Sequence, residues 1–341
     1  MPISIRPRPA WVAAPLVIAS VLIIAEARAD ALQDYAQQCD AAIGATIPDF
    51  DCDAGTEVPV TNPHPTPNNP TSCDRPNRLN QVCDPGSRFQ VFSRTANVFS
   101  VGHCRKKGLP NGEYGDIAVI QYNRNSGATC FYQALGTLPA KVKAPSKGQG
   151  AWPWITPSGT ASIGCGGCHD NGPFIRSPYL NQVTGTNALP GSDDFGFNST
   201  QPYAFVGADF AAWKAFKVEV VGNECLGCHR LGANNVRPGQ GTALDFAIRA
   251  TAPTESQKNP PSAASPIWMP PVPVQTAFNQ VHASSAKAIH DCAMHVTDNP
   301  LPNTNACRIT QFAGAYVAPA PPPGVAPEAA VIIQLIQMPL R

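Results

Sequence analysis

Apolar positions first recur at helical spacing over residues 30–43, where Leu32, Tyr35, Ala36, Cys39 and Ile43 share one face. Asp30 is a suitable N-cap and Gly44 a suitable stop, so the spacing predicts a helix there. The pattern changes to strand type across 89–135. Residues 117–122 and 129–133 are β-rich runs separated by Asn123-Arg124-Asn125-Ser126-Gly127, which reads as a hairpin with glycine in its turn. Residues 97–103 offer a third strand. The stretch 209–221 begins at helical spacing and ends in alternation, leaving its form open. Residues 242–250 suggest a short helix. The longest helical face runs over 276–296, through Phe278, Val281, His282, Ile289, Cys292 and Val296. Val331–Ile336 forms an apolar end. Between these elements lie stretches rich in Pro, Ser, Thr, Asn or Ala at 58–72, 253–273 and 315–327, which predict extended loops.

Composition sharpens this picture. Only 14% of the 341 residues are charged, against roughly 25% in a typical domain, and 37 are proline. Such a chain needs cross-links or bound groups to hold its irregular segments. Residues 1–29 read as a secretory signal: Arg6 and Arg8, an apolar run from Trp11 to Ala25, then Ala27-Arg28-Ala29. That run is short for a membrane span of about 20 residues, and the mature chain is expected to have no transmembrane span. Removing the leader leaves a net charge of −1. Neither a basic block for nucleic acid nor a polybasic amphipathic helix for lipid stands out. His103-Cys104-Arg105-Lys106-Lys107 is a local basic cluster, for which a solvated turn is favoured over an acidic partner's dock. Asp49, Asp51 and Asp53 alternate, but the glycine and closing glutamate of a calcium loop are missing, which favours a solvated turn.

The candidate chemistry lies in two short motifs. Cys165-Gly166-Gly167-Cys168-His169 and Cys225-Leu226-Gly227-Cys228-His229 both spell C-x-x-C-H. Two thiols at this spacing can each form a thioether to one haem vinyl group, and the adjacent histidine lies where it can ligate the iron. A four-cysteine zinc site or redox dithiols are the alternatives. The 56 residues between the motif pairs exceed zinc-ribbon spacing, and neither alternative explains a histidine after each pair. Eight of the twelve cysteines remain: Cys39, Cys52, Cys73, Cys83, Cys104, Cys130, Cys292 and Cys307. In an exported chain they predict up to four disulfides. Neighbour pairing would join Cys39 to Cys52, Cys73 to Cys83, Cys104 to Cys130 and Cys292 to Cys307.

On these motifs and the leader, the chain resembles a diheme c-type cytochrome. The resemblance implies two covalently attached haem c groups, with His169 and His229 as proximal ligands. It makes Pro173 a candidate acceptor for the His169 Nδ1–H, and Met269, followed by Pro270, the candidate distal ligand of the second haem. His103 and His282 compete for the distal side of the first, behind which His64, His290, His295 and Met294 follow. Arg176 could bind a haem propionate or make an ordinary surface ion pair, and Trp152-Pro153-Trp154 could pack on a porphyrin or in the core. The expected fold class is α+β, irregular and Pro-rich: helices around two haems, with a disulfide-stapled, hairpin-containing N-terminal region. The division is a leader at 1–29, that N-terminal region at 30–145, the diheme region at 146–312 and a Pro/Ala-rich tail at 313–341. The expected function is single-electron transfer between redox partner proteins in the periplasm or at the cell surface. The alternatives are a peroxidase-like enzyme, in which an open haem position would take a small-molecule substrate, and a cytochrome subunit of a larger dehydrogenase.

Overall fold

The computed structural model describes residues 31–60, 84–148, 150, 152–167, 169, 171–174, 180, 183, 202–223, 226, 283–312 and 314–317. A six-stranded sheet dominates them. Its strands are β2 (Thr56–Glu57), β3 (Arg88–Arg94), β4 (Val98–Arg105), β5 (Glu113–Asn123), β6 (Ala128–Pro139) and β8 (Ala204–Phe205), in the order β2-β3-β4-β5-β6-β8. The pairs are antiparallel except β6 with β8. The central four strands form a meander, the topology favoured when consecutive strands are joined by short turns. The predicted strands at 117–122 and 129–133 lie within it, as does the one at 97–103 from Val98 onward. The small pairs β1 (Phe50–Asp51) with β7 (Lys141–Val142), and β9 (Phe216–Glu219) with β10 (Arg308–Gln311), lie outside it.

The expected architecture of helices around haems is therefore corrected. The α-helices whose bounds are described are α1 (31–43), α2 (Pro157–Ile163) and α3 (Ala283–Ala293); Leu180 and Val183 are helical as well. Sheet formation prevails because residues 88–139 supply long β-branched and aromatic runs whose alternate positions can be buried on both faces. In β5, Ile117, Val119 and Gln121 are fully buried on one face. That face carries α1, whose buried positions Leu32, Tyr35, Ala36, Cys39 and Ile43 match the predicted apolar stripe. Gln121 Nε2 donates to the Ala45 carbonyl at 2.9 Å and Asn123 Nδ2 to that of Ile43 at 2.9 Å, anchoring the helix end.

Two disulfides fasten this face, and both differ from neighbour pairing. Cys39 of α1 joins Cys130 of β6, and Cys52 joins Cys104 of β4. Sheet register decides the pairing: Cys104 and Cys130 point to the face under the N-terminal segment, so each meets a cysteine distant in sequence. Cys292 pairs with Cys307, as neighbour pairing expects. Cys73 and Cys83 lie outside the described residues, as do the leader and the predicted elements at 242–250 and 331–336. No helix among the described residues is long and apolar enough to cross a membrane.

Several local expectations also change. Arg105-Lys106-Lys107 is not a solvated turn. Lys106 is buried, its Nζ donating to the Pro110 and Glu113 carbonyls and lying 4.6 Å from the Tyr114 ring centre. Arg105 and Lys107 both pair with Asp116. The alternating acids keep to the surface, with Asp49 and Asp53 exposed as a solvated turn expects, and each makes its own contacts. Asp49 binds Lys143, Lys147 and the Ala144 N–H, Asp51 caps a short turn, and Asp53 accepts from the Tyr114 hydroxyl at 2.7 Å. Trp152 and Trp154 belong to the main core; Trp154 Nε1 donates to the Lys143 carbonyl at 2.8 Å.

Candidate functional site

The first motif stands against the sheet face opposite α1, and α2 delivers it there. Pro157 opens the helix, and the Thr156 hydroxyl accepts from the Gly159 N–H at 3.1 Å. Gly164, at φ 76° and ψ 36°, ends it in the left-handed conformation that a β-carbon disfavours. A further turn over Cys165–Gly167 follows, and His169 N donates to the Cys165 carbonyl at 2.9 Å.

Aromatic packing seats this turn. A β-carbon on Gly166 would fall 2.9 Å from the Trp213 ring. Trp213 packs edge-on to Phe205 and Phe210, with centroids at 5.2 and 4.9 Å, and lies 5.5 Å from Phe131 of β6. Phe131 in turn meets the His169 ring edge-on at 5.6 Å. After His169 the chain turns through Gly172, at φ 116°, and drives Phe174 into the sheet against Phe99 and Tyr122. The intervening Pro173 carbonyl lies 2.7 Å from His169 Nδ1, and the Tyr203 hydroxyl donates to the His169 carbonyl.

These contacts define the imidazole's chemistry. A carbonyl oxygen only accepts, so Nδ1 carries the proton and Nε2 keeps its lone pair. The residue retains some exposed surface, yet protein encloses the ring enough for burial to pull its pKa down to about 4. The Pro173 bond opposes that shift, and the nearby Arg105 charge adds to it. At neutral pH the ring is uncharged and able to coordinate.

The same face carries His103 on β4, buried, with its pKa lowered to about 3 by burial and then by Arg105, against an upward pull from Asp116. Two residues on, Arg105 binds Asp116 at 2.9 Å; Lys107 and Gln133 reach the same carboxylate at 3.1 and 2.6 Å. Burial alone would raise the Asp116 pKa, but these partners outweigh it and hold the group ionised.

A separate small core supports the approach to the second motif. Phe216, Val218, Val220, Ile289, Cys292, Ala293 and Ile309 form it, and Leu226, inside the motif, packs against it. Asn223 Nδ2 donates to the Ser285 carbonyl at 2.7 Å. The chain after β10 ties this unit to the main sheet. Phe312 N donates to the Ala215 carbonyl, Phe205 N to that of Gly314, and Tyr316 N to that of Phe205. Cys168, Cys225, Cys228, His229, Arg176, Met269 and His282 lie outside the described residues.

Trp213, Phe131 and Arg105 escaped the sequence reading as parts of this site. Only strand alternation places Phe131 and Arg105 on one face with His103, and nothing in the ambiguous 209–221 stretch singles out Trp213. Among the described residues, no group of three or more His, Cys, Asp or Glu side chains gathers that could hold a bare metal ion. The donors described at the first motif are the Cys165 thiol and, four residues on, the His169 imidazole, whose Nδ1 meets the Pro173 carbonyl. No protein-family model matches the chain, and comparison with curated proteins and with solved structures gives no match either.

Proposed function

We propose that the chain is an exported c-type cytochrome that passes single electrons between redox partner proteins, binding one haem at each C-x-x-C-H motif. The observation that carries this reading is the 2.7 Å approach of His169 Nδ1 to the Pro173 carbonyl. Such a bond fixes the ring's tautomer and direction and makes Nε2 a better donor. Cys165 and Cys168 would attach the haem by adding each S–H across a vinyl C=C, which forms a thioether and releases nothing. The bound group supplies a reversible one-electron Fe(III)/Fe(II) couple. The chain's own residues do the remainder. Trp213 and Phe131 brace the turn and the ring, while burial around His169 keeps it unprotonated. The three disulfides among the described residues accord with an oxidising compartment, and with the leader-like residues 1–29 they support export to the periplasm or cell surface.

The test is a pyridine haemochrome assay with mass mapping of the motif peptides, on protein secreted from a host competent in cytochrome c maturation. Two c-type haems per chain, one on each motif peptide, are expected. A secreted, folded chain without haem on either peptide sinks the proposal.

A further inference from the structure

The central strand of the sheet is covered unevenly. On the α1 face of β5, Ile117, Val119 and Gln121 are fully buried. On the opposite face, Ala118 and Ile120 of the same strand are only half-buried, although both neighbouring strands are in place. This partly open apolar strip lies between two histidine positions. On its β6 side, Phe131, paired with Ile120, holds the His169 ring. On its β4 side, His103 is paired with Ala118 and shares their face. The backbones of β4 and β6 lie two inter-strand spacings apart, about 9–10 Å, with His103 on the first and the His169 ring packed over Phe131 of the second. Phe174 closes the end of this face at Phe99 and Tyr122, and Arg105 with Asp116 marks the other.

We propose that His103 is the second axial ligand of the haem held by Cys165 and His169, and that the half-open strip of Ala118 and Ile120 is the apolar floor on which that haem sits. The inference rests on the haem reading of the first motif and assigns its missing distal side. Ala118 suits the position because a larger side chain between His103 and Gln133 would fill the space above β5. Two imidazoles would take both axial positions, leave none for a substrate, and make this site an electron carrier.

Near-infrared magnetic circular dichroism of the ferric wild-type protein should show at least one bis-histidine haem; its absence overturns the assignment. In His103→Ala, one of the two haems should become high-spin, and added imidazole should return it to low spin. In His103→Met the haem should stay low-spin, with a thioether-to-iron charge-transfer band and a raised potential. Ala118→Phe should reduce haem on the 165–169 peptide while leaving the 225–229 peptide loaded. A spin state unchanged in His103→Ala overturns the proposal. If the substitutions prevent secretion, the wild-type dichroism decides. Absence of haem from the 165–169 peptide of the wild type would instead refute the haem reading itself, so the two failures are distinguishable.

Discussion

The Trp213 indole occupies the space that a β-carbon on Gly166 would enter, 2.9 Å away. Position 166 of the first motif is therefore not a free spacer. Gly166→Ala should push the Cys165 turn off its aromatic seat. The expected cost is about 1–3 kcal/mol, as for overpacking a dense core; on the proposed haem reading, the 165–169 peptide should also carry less haem. Gly150→Ala, where nothing lies within 4 Å of the added carbon, is the control. Urea unfolding of the two variants checks the difference; equal stabilities would count against the contact.

The crossed disulfides make a second expectation. Non-reducing peptide mapping should recover Cys39 with Cys130 and Cys52 with Cys104. Replacing Cys39 and Cys130 together by Ala removes a link spanning 91 residues. On the chain-entropy model this costs about 4–5 kcal/mol. Mapped fragments joining Cys39 to Cys52 would contradict the register of β6 beneath α1.

Much of the sheet was legible because alternation is local: the Ile117–Tyr122 and Thr129–Gln133 runs carry their strand signal within a few residues. What was not legible depends on which strands lie side by side. Cys104 and Cys130 look like partners in sequence, yet each reaches back to the N-terminal segment because both face α1. Lys106 looks solvated within a basic run until the turn after β4 folds its ammonium onto two carbonyls. The site divides in the same way. Cys165, Cys168 and His169 are visible as a spacing, and Pro173 through the family resemblance. The residues that brace and face them, Trp213, Phe131 and Arg105, arrive through tertiary packing.

Asp116 predicts an acid-sensitive contribution on this face. Its folded pKa is held below the ordinary carboxylate value, although burial opposes this, by Arg105, Lys107 and Gln133. Its stabilisation is therefore present above the unfolded pKa and is lost as pH falls through the folded one. Asp116→Asn should destabilise by about 1–3 kcal/mol at pH 7, because Arg105 and Lys107 are partly exposed and can rehydrate. The gap between wild type and variant should close as the pH is lowered below the usual carboxylate range. Chemical denaturation across a pH series measures it, and a gap that widens toward acid would refute this account.

The last expectation separates the two motifs mechanically. The first is braced by the main sheet, but the approach to the second rests on a core of seven buried residues stapled by Cys292–Cys307. Cys292 also lies in that core and points its sulfur at the Glu219 carbonyl of β9. Cys307→Ala opens a link of 15 residues, worth about 3 kcal/mol on the loop-entropy estimate. A loss of that size should concentrate where few other contacts resist opening. Hydrogen exchange should therefore accelerate over 216–226 and 283–311, while β4, β5 and β6 keep their protection. Uniform acceleration across the main sheet would mean instead that the return strand through Phe312 and Gly314 makes the two cores one cooperative unit.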